Sequence, residues 1–289
     1  MVNAQHHYII GDIHGCYDEL LELEEKIKVN CEKTETIPHI VSVGDLIDRG
    51  PNSNDVIEHF RQGVENGTHT AIMGNHELMM LETLEAFSPE NYEQEECMYP
   101  EWFLTYKINY KNGKGMSRFL SWNDYKITTR SLWLGQGGYN TLKSFCCDPH
   151  EPKTWEIPTE TLSFLINLPF FYEKEKFVVT HALANSEDLK TVKELFPLAK
   201  NGNGLVEEQI NNLRKSIISL VWSRNTPKSI PVVNKKHISG HTPVQNVKRY
   251  GKINCIQIDT GCVFNGRLTA LCMETDKLLA VKARKNYAL

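Results

Sequence analysis

Three short apolar runs, each closing on a glycine-led polar turn, constrain this chain more than any other feature. Tyr8-Ile9-Ile10 runs into Gly11-Asp12-Ile13-His14-Gly15. Ile40-Val41-Ser42-Val43 runs into Gly44-Asp45-Leu46-Ile47-Asp48-Arg49-Gly50, and Thr70-Ala71-Ile72-Met73 into Gly74-Asn75-His76-Glu77. Short, β-branched runs bounded by turn residues read as buried strands. The turns begin 33 and 30 residues apart, and about 30 residues is the length of a strand–helix–strand crossover. The intervening segments fit that unit. Asp18 to Lys28 sets Leu20, Leu21, Leu23 and Ile27 against Glu22, Glu24, Glu25 and Lys26, and Asn54 to Gln62 carries Val56, Ile57 and Phe60. Both are amphipathic helices. Three successive parallel strands would then bring Asp12/His14, Asp45/Asp48/Arg49 and Asn75/His76 to one sheet edge, the carboxyl edge where open α/β sheets bind ligands.

Asp12 and His14 stand two apart, so in extended backbone their side chains leave on the same side. One strand end could thus offer a carboxylate and an imidazole to a single ion. Each turn taken alone has a plainer reading: Asp48–Arg49 as a surface ion pair, and His14 as a stray histidine. Their shared edge favours a site, because independent turns have no reason to gather acids, imidazoles and an amide in one place.

Beyond the third turn, the stretch from Leu78 to about Arg130 is acidic and rich in aromatic residues. It reads as a helical insertion over residues 82–130, either a lid over the site or a unit with its own small core. Gly135-Gln136-Gly137-Gly138 is a turn before a helix from Tyr139 to Phe145; it lacks the Lys-Ser/Thr of a phosphate loop. Thr161 to Leu168 and Val206 to Ile218 are predicted helices, and Phe177–Thr180 is a strand ending at His181. His237-Ile238-Ser239-Gly240-His241 again couples a short run, a glycine and a histidine. From Val244 to Val281 the alternation between glycine turns predicts an antiparallel meander. With no linker or repeat, the chain of 289 residues reads as one domain, 1–289, holding the insertion.

With 40% hydrophobic residues there is material for a substantial core, and a net charge of −4 gives no field for a nucleic-acid polymer or an anionic membrane. No run approaches the roughly 20 apolar residues of a membrane span, and residues 1–7 lack a signal-peptide pattern. Eight scattered cysteines without a CxxC pair suggest reduced thiols. The expectation is a cytoplasmic protein.

Gly-Asp-Ile-His-Gly, Gly-Asp-Leu-Ile-Asp-Arg-Gly, Gly-Asn-His-Glu, the His181 strand end and Ser239-Gly240-His241-Thr242 together resemble the ordered motifs of the calcineurin-like metallophosphoesterases. Within them the chain is similar to the phosphoprotein phosphatase branch, and most to bacterial and phage-lambda-type Ser/Thr phosphatases, since Val221-Trp222-Ser223-Arg224 and Ile258-Asp259-Thr260-Gly261 also fit. The resemblance covers about Tyr8 to Leu271 apart from the insertion. It implies an α/β (α+β) fold with a central β-sandwich flanked by helices. It also implies two divalent metal ions: Asp12, His14 and Asp45 on the first, and Asp45, Asn75, His181 and His241 on the second. Oxygen donors mixed with imidazoles suit Mn²⁺, with Fe or Zn²⁺ as alternatives, better than Ca²⁺.

By the same resemblance, a hydroxide shared by the two ions attacks phosphorus in line. Arg49 and Arg224 hold phosphate oxygens, and His76, oriented by Asp48, protonates the leaving group. The implied substrate is a phosphoserine or phosphothreonine protein or peptide. The alternative is a dinucleoside polyphosphate, because Gly15-Cys16-Tyr17-Asp18-Glu19-Leu20 also resembles the first motif of diadenosine tetraphosphatases. Many of those carry Gln at the place of His14 and Asp at that of Glu77, which favours the phosphatase. A non-catalytic binding module on the same fold is a third reading, opposed by the complete ligand set.

Overall fold

The computed structural model describes residues 4–87, 122–201 and 204–288. The first expected unit forms as a parallel ladder of β1 (Gln5–Ile10), β2 (Ile37–Ser42) and β3 (His69–Ala71). The crossovers are α1 (Tyr17–Thr34) and α2 (Ser53–Glu65). Helix α1 runs well past Lys28 and stops at Glu35, whose left-handed backbone at φ 53° returns its N–H to the last turn.

The chain continues through α3 (Asn75–Phe87), α4 (Trp122–Trp133), the glycine turn Leu134–Gly138, α5 (Tyr139–Ser144) and α6 (Thr159–Ile166). Then come β4 (Phe171–Glu173), β5 (Phe177–Thr180), α7 (Ser186–Lys200), α8 (Glu207–Trp222), β6 (Lys236–Ser239), β7 (Lys248–Tyr250), β8 (Cys255–Gln257), β9 (Arg267–Cys272) and β10 (Leu278–Lys282).

The strands assemble into two five-stranded sheets, ordered β10-β9-β1-β2-β3 and β4-β5-β6-β8-β7. Strand period 2 explains how both faces of each are buried. Ile9, Val41, Val43 and Ile72 from the first sheet meet Phe177, Val179, Ile238, Ile256 and Ile258 from the second. Their neighbours Tyr8, Ile10 and Ile40 point the other way, into a cluster with Leu20, Leu23, Ile27, Val56 and Phe60 of α1 and α2. On the second sheet Val178 shares that cluster with Leu189, Val192, Leu213, Ile217 and Leu220 of α7 and α8. Each such side chain contributes roughly 1.5–3 kcal/mol when fully buried, so helix, sheet, sheet and helix are held as successive layers.

The expected meander from 244 to 281 is not one sheet. Strands β7 and β8 form an antiparallel hairpin on the second sheet, with β8 parallel to β6, whereas β9 and β10 form a hairpin on the first, with β9 antiparallel to β1. Alternation and turn residues specify hairpins but not the sheet each joins. The inserted stretch is described only at its flanks, where 82–87 continue α3 and 122–130 lie in α4; its middle lies outside the described residues. Seven cysteines are free, six of them buried, among the described residues, and no helix there is long and apolar enough to cross a membrane.

Candidate metal centre

The parallel ladder places the three turns side by side, and backbone hydrogen bonds lock them together. The N–H groups of Ile13 and His14 donate to Asp45 O, and Gly15 N to Leu46 O. Strand β1 ends at Ile10, so Asp12 and His14 are not set by strand alternation; the turn itself aims them, with His14 at φ 49°. Asp45, Asp48, Arg49 and His241 also sit at positive φ, between 51° and 73°. Left-handed backbone at non-glycine residues costs of order 1–3 kcal/mol each, and here it gathers at the sheet edge where the predicted site lies.

Glu77, in the first turn of α3, holds the second turn in this shape. Its buried carboxylate accepts from the N–H groups of Asp45 at 3.0 Å, Leu46 at 2.8 Å and Gly74 at 2.9 Å. Gly74 has to lack a side chain, because a Cβ there would fall 2.2 Å from Asp45 Oδ1.

Two donor clusters result at this edge, His14/Asp45/His76 and Asp45/His181/His241, each with ligand atoms within 4.8 Å of one another. Asp45 belongs to both. Its Oδ2 lies 3.6 Å from His14 Nε2, 3.9 Å from His76 Nε2 and 3.3 Å from His181 Nε2. Asn75 Oδ1 is 2.9 Å from both His181 Nε2 and His241 Nδ1. Asp12 is in neither cluster; it stands beside the second, with its carboxylate accepting from His241 N at 3.0 Å.

The electrostatics call for a cation. Asp12, Asp45 and Asp259 are three buried carboxylates within mutual influence. Burial and the Asp259 charge push Asp12 well above the ordinary carboxylate range, and burial pushes Asp259 up to about 6. Burial opposes the charge on Asp45 too, but His181 and His76 hold it well below the usual value. His181 would be lowered by burial, yet Asp45 and Asp12 raise it to about 10. A proton on that ring therefore does the charge balancing that a metal ion would do, and binding a metal would release it. His14 and His241 are kept neutral, the first by burial and Arg49, the second by burial and His181 down to about 3. Neutral imidazole is the ligating form.

The remaining ring nitrogens are already bonded, as ligating histidines require: His14 Nδ1 to Ile47 O and His181 Nδ1 to Val43 O, both at 2.8 Å. The residues fit a pair of divalent ions. One adjustment goes with that fit: Arg49 Nη1 donates to His14 Nε2 at 2.5 Å, and one lone pair cannot serve both a guanidinium and a metal.

His76 Nδ1 meets Asp48 Oδ2 at 2.6 Å. Asp48 is fully buried and also accepts from Trp133 Nε1 at 3.1 Å and Thr141 Oγ1 at 2.6 Å. Helix α4 thus carries Trp133 to the site. Arg224 is exposed just past α8, close enough for its charge to help depress His241. Sequence reasoning missed the roles of Glu77, Asp259, Trp133 and Thr141. Glu77 had a signal, an acid in the first turn of a helix, and Asp259 lay in a recognised motif; Trp133 and Thr141 had none.

These motifs and this sandwich are those of one family. The sequence profile described as calcineurin-like phosphoesterase matches residues 7–245, and the chain belongs to that family. It is a metal-dependent phosphoesterase by family, of the hydrolase class. The chain is 26% identical over 289 residues to a protein of Halalkalibacterium halodurans named bis(5'-nucleosyl)-tetraphosphatase PrpE (asymmetrical), covering 96% of this chain and 94% of that one. It is also 26% identical over 301 residues to the symmetrical bis(5'-nucleosyl)-tetraphosphatase of Neisseria gonorrhoeae, covering 96% and 95%. A cold-active protein-tyrosine phosphatase from a psychrophilic Shewanella species overlays with a TM-score of 0.46 at 17% identity, covering 99% of this chain and 79% of that one. An overlap of that size bears on neither substrate nor chemistry.

Replacing Trp133 by Phe removes one buried donor to the Asp48 carboxylate and keeps most of the ring. Urea unfolding should show a loss of about 1.5–3 kcal/mol, the range for a hydrogen bond to a charged group; an unchanged midpoint would mean that the indole N–H does not support Asp48.

Proposed function

We propose that this chain is a two-metal hydrolase of dinucleoside polyphosphates. The observation that carries the two-metal chemistry is Asp45 standing in both donor clusters. Asp12, His14 and Asp45 would hold one ion, and Asp45, Asn75, His181 and His241 the other, with Mn²⁺ as the first choice. Bound there, the ions would supply a nucleophile at neutral pH and neutralise phosphoryl oxygens.

The chain's own residues do the rest. Arg49, leaving His14 Nε2, pairs with phosphate oxygens bidentately, and Arg224, near His241, would hold a further phosphate oxygen. Asp48 holds the Nδ1–H of His76 and so orients the ring, whose Nε2 would deliver a proton to the leaving oxygen.

Full-length relatives named as dinucleoside tetraphosphatases support this substrate class. The cleft beside Arg49 supports it too. It encloses about 370 Å³ and is lined by Tyr139, Phe264 and Tyr287 with the amides of Gln136 and Asn140. Phe264 is 45% exposed and lies 5.3 Å from the Arg49 guanidinium. Exposed aromatic faces beside amides suit a planar base, and Arg49 links them to the metal centre. Glu77, which had favoured a protein phosphatase, is occupied with loop backbone and does not discriminate between substrates. The phosphoserine reading is second, favoured by the Asp48–His76 pair, since an alkoxide needs a proton more than a phosphate leaving group does.

Diadenosine tetraphosphate and a phosphoserine peptide, assayed side by side with Mn²⁺, should give the higher kcat/KM for the dinucleotide, and chelation should abolish both. A preference for the peptide would reverse the assignment. His76→Asn should slow the peptide reaction by 10²-fold or more, the ordinary yield of general acid catalysis, and the dinucleotide and p-nitrophenyl phosphate reactions by much less; equal losses would remove the proton-donor role. Phe264→Ala should raise KM for diadenosine tetraphosphate by about tenfold, within the range of a lost base–aromatic stack, with p-nitrophenyl phosphate kinetics unchanged.

A further inference from the structure

At the opposite end of the first sheet a separate group of metal-binding side chains converges. Glu24 comes from α1, His59 from α2 and His69 from the first residue of β3, and their ligand atoms lie within 4.8 Å of one another. Glu24 Oε1 is 2.9 Å from His59 Nε2 and 3.3 Å from His69 Nε2. The imidazoles meet edge-on, with centroids 5.2 Å apart and planes at 88°, so both Nε2 atoms point at one carboxylate oxygen. All three residues are partly exposed, which leaves a path from solvent.

The hydrogen bonds around His69 decide its tautomer. Thr68 Oγ1 donates to Gly63 O at 3.1 Å, so toward His69 Nδ1, 2.8 Å away, the hydroxyl oxygen is left to accept. Nδ1 then carries the ring proton. In the neutral imidazole that tautomer leaves Nε2 as the free ligating atom, and it faces Glu24 Oε1 at 3.3 Å. A cation between the groups would be bonded both by that lone pair and by the Glu24 carboxylate. The contact of His69 Nδ1 with Thr68 Oγ1 is the outer support that ligating histidines carry. Gly63 is part of the same arrangement, because a Cβ there would lie 2.2 Å from His69 Nδ1.

We propose that Glu24, His59 and His69 form a peripheral site for a divalent ion of the zinc class, separate from the catalytic cleft. Two imidazoles and one carboxylate with a fourth position open to water are an accepted donor set for Zn²⁺, and harder ions such as Mg²⁺ are disfavoured by the nitrogen donors. Because the ligands come from three elements, the ion ties α1, α2 and β3 together. The site performs no step of hydrolysis.

Equilibrium dialysis of the full chain against Zn²⁺, with metal counted per chain, tests this. Wild type should hold one equivalent more than either Glu24→Gln or His59→Ala, and both variants should keep wild-type turnover of p-nitrophenyl phosphate with Mn²⁺. In an Asp45→Asn background, which disables the shared ligand of the catalytic clusters, Zn²⁺ should still raise Tm, and adding His59→Ala should abolish the rise. Equal zinc content in wild type and both variants would overturn the proposal, as would a Tm rise that survives the double substitution. So would turnover lost along with the extra equivalent, which would put that ion in the catalytic cleft.

Discussion

The charge on Asp45 governs the rest of the catalytic edge. A buried carboxylate beside two others, Asp12 and Asp259, is unstable unless positive charge is brought to it. Of the imidazoles that face its Oδ2, His181 and His76 hold its carboxyl well below the usual value. His181 reflects the same demand: the carboxylates of Asp45 and Asp12 raise its ring to about 10 against the effect of burial.

Holding those ligands requires backbone that ordinary turns do not use. Five of the residues at the edge are left-handed, and one buried side chain, Glu77, braces the second turn by accepting from its successive N–H groups. The same economy appears at Asp48, where Trp133 and Thr141 converge on one carboxylate that in turn fixes His76. The geometry of the candidate site therefore depends on residues outside the two donor clusters. It extends to the end of α4, where Trp133 belongs to the site's support.

Much of this was legible in the chain. The β-branched runs and the 30-residue spacing gave the parallel β1-β2-β3 ladder and its carboxyl edge, because strand burial and crossover length are local properties. The glycine turn and the helix after it were readable for the same reason. Asp12, His14, Asp45, Asp48, Arg49, Asn75 and His76 were found as a group because they sit on turns that this ladder must bring together. His181, His241 and Arg224 could be added only through the family's motif order, since their own surroundings are unremarkable turns. Trp133 and Thr141 left no mark, because their partner lies 85 and 93 residues away and a buried donor looks like any other core residue. The expected alternation of Asp12 and His14 on a strand also failed, as β1 stops before either residue.

By itself the sequence determined the strands, the crossovers, the residue types at the catalytic edge and the family, all of which follow from short-range pattern and spacing. Only the tertiary structure decided which sheet each C-terminal hairpin joins, that Asp45 is shared between two donor clusters, and that Glu24, His59 and His69 face one another across three elements. Those outcomes depend on distances between segments far apart in the chain, and such distances are set when the layers pack.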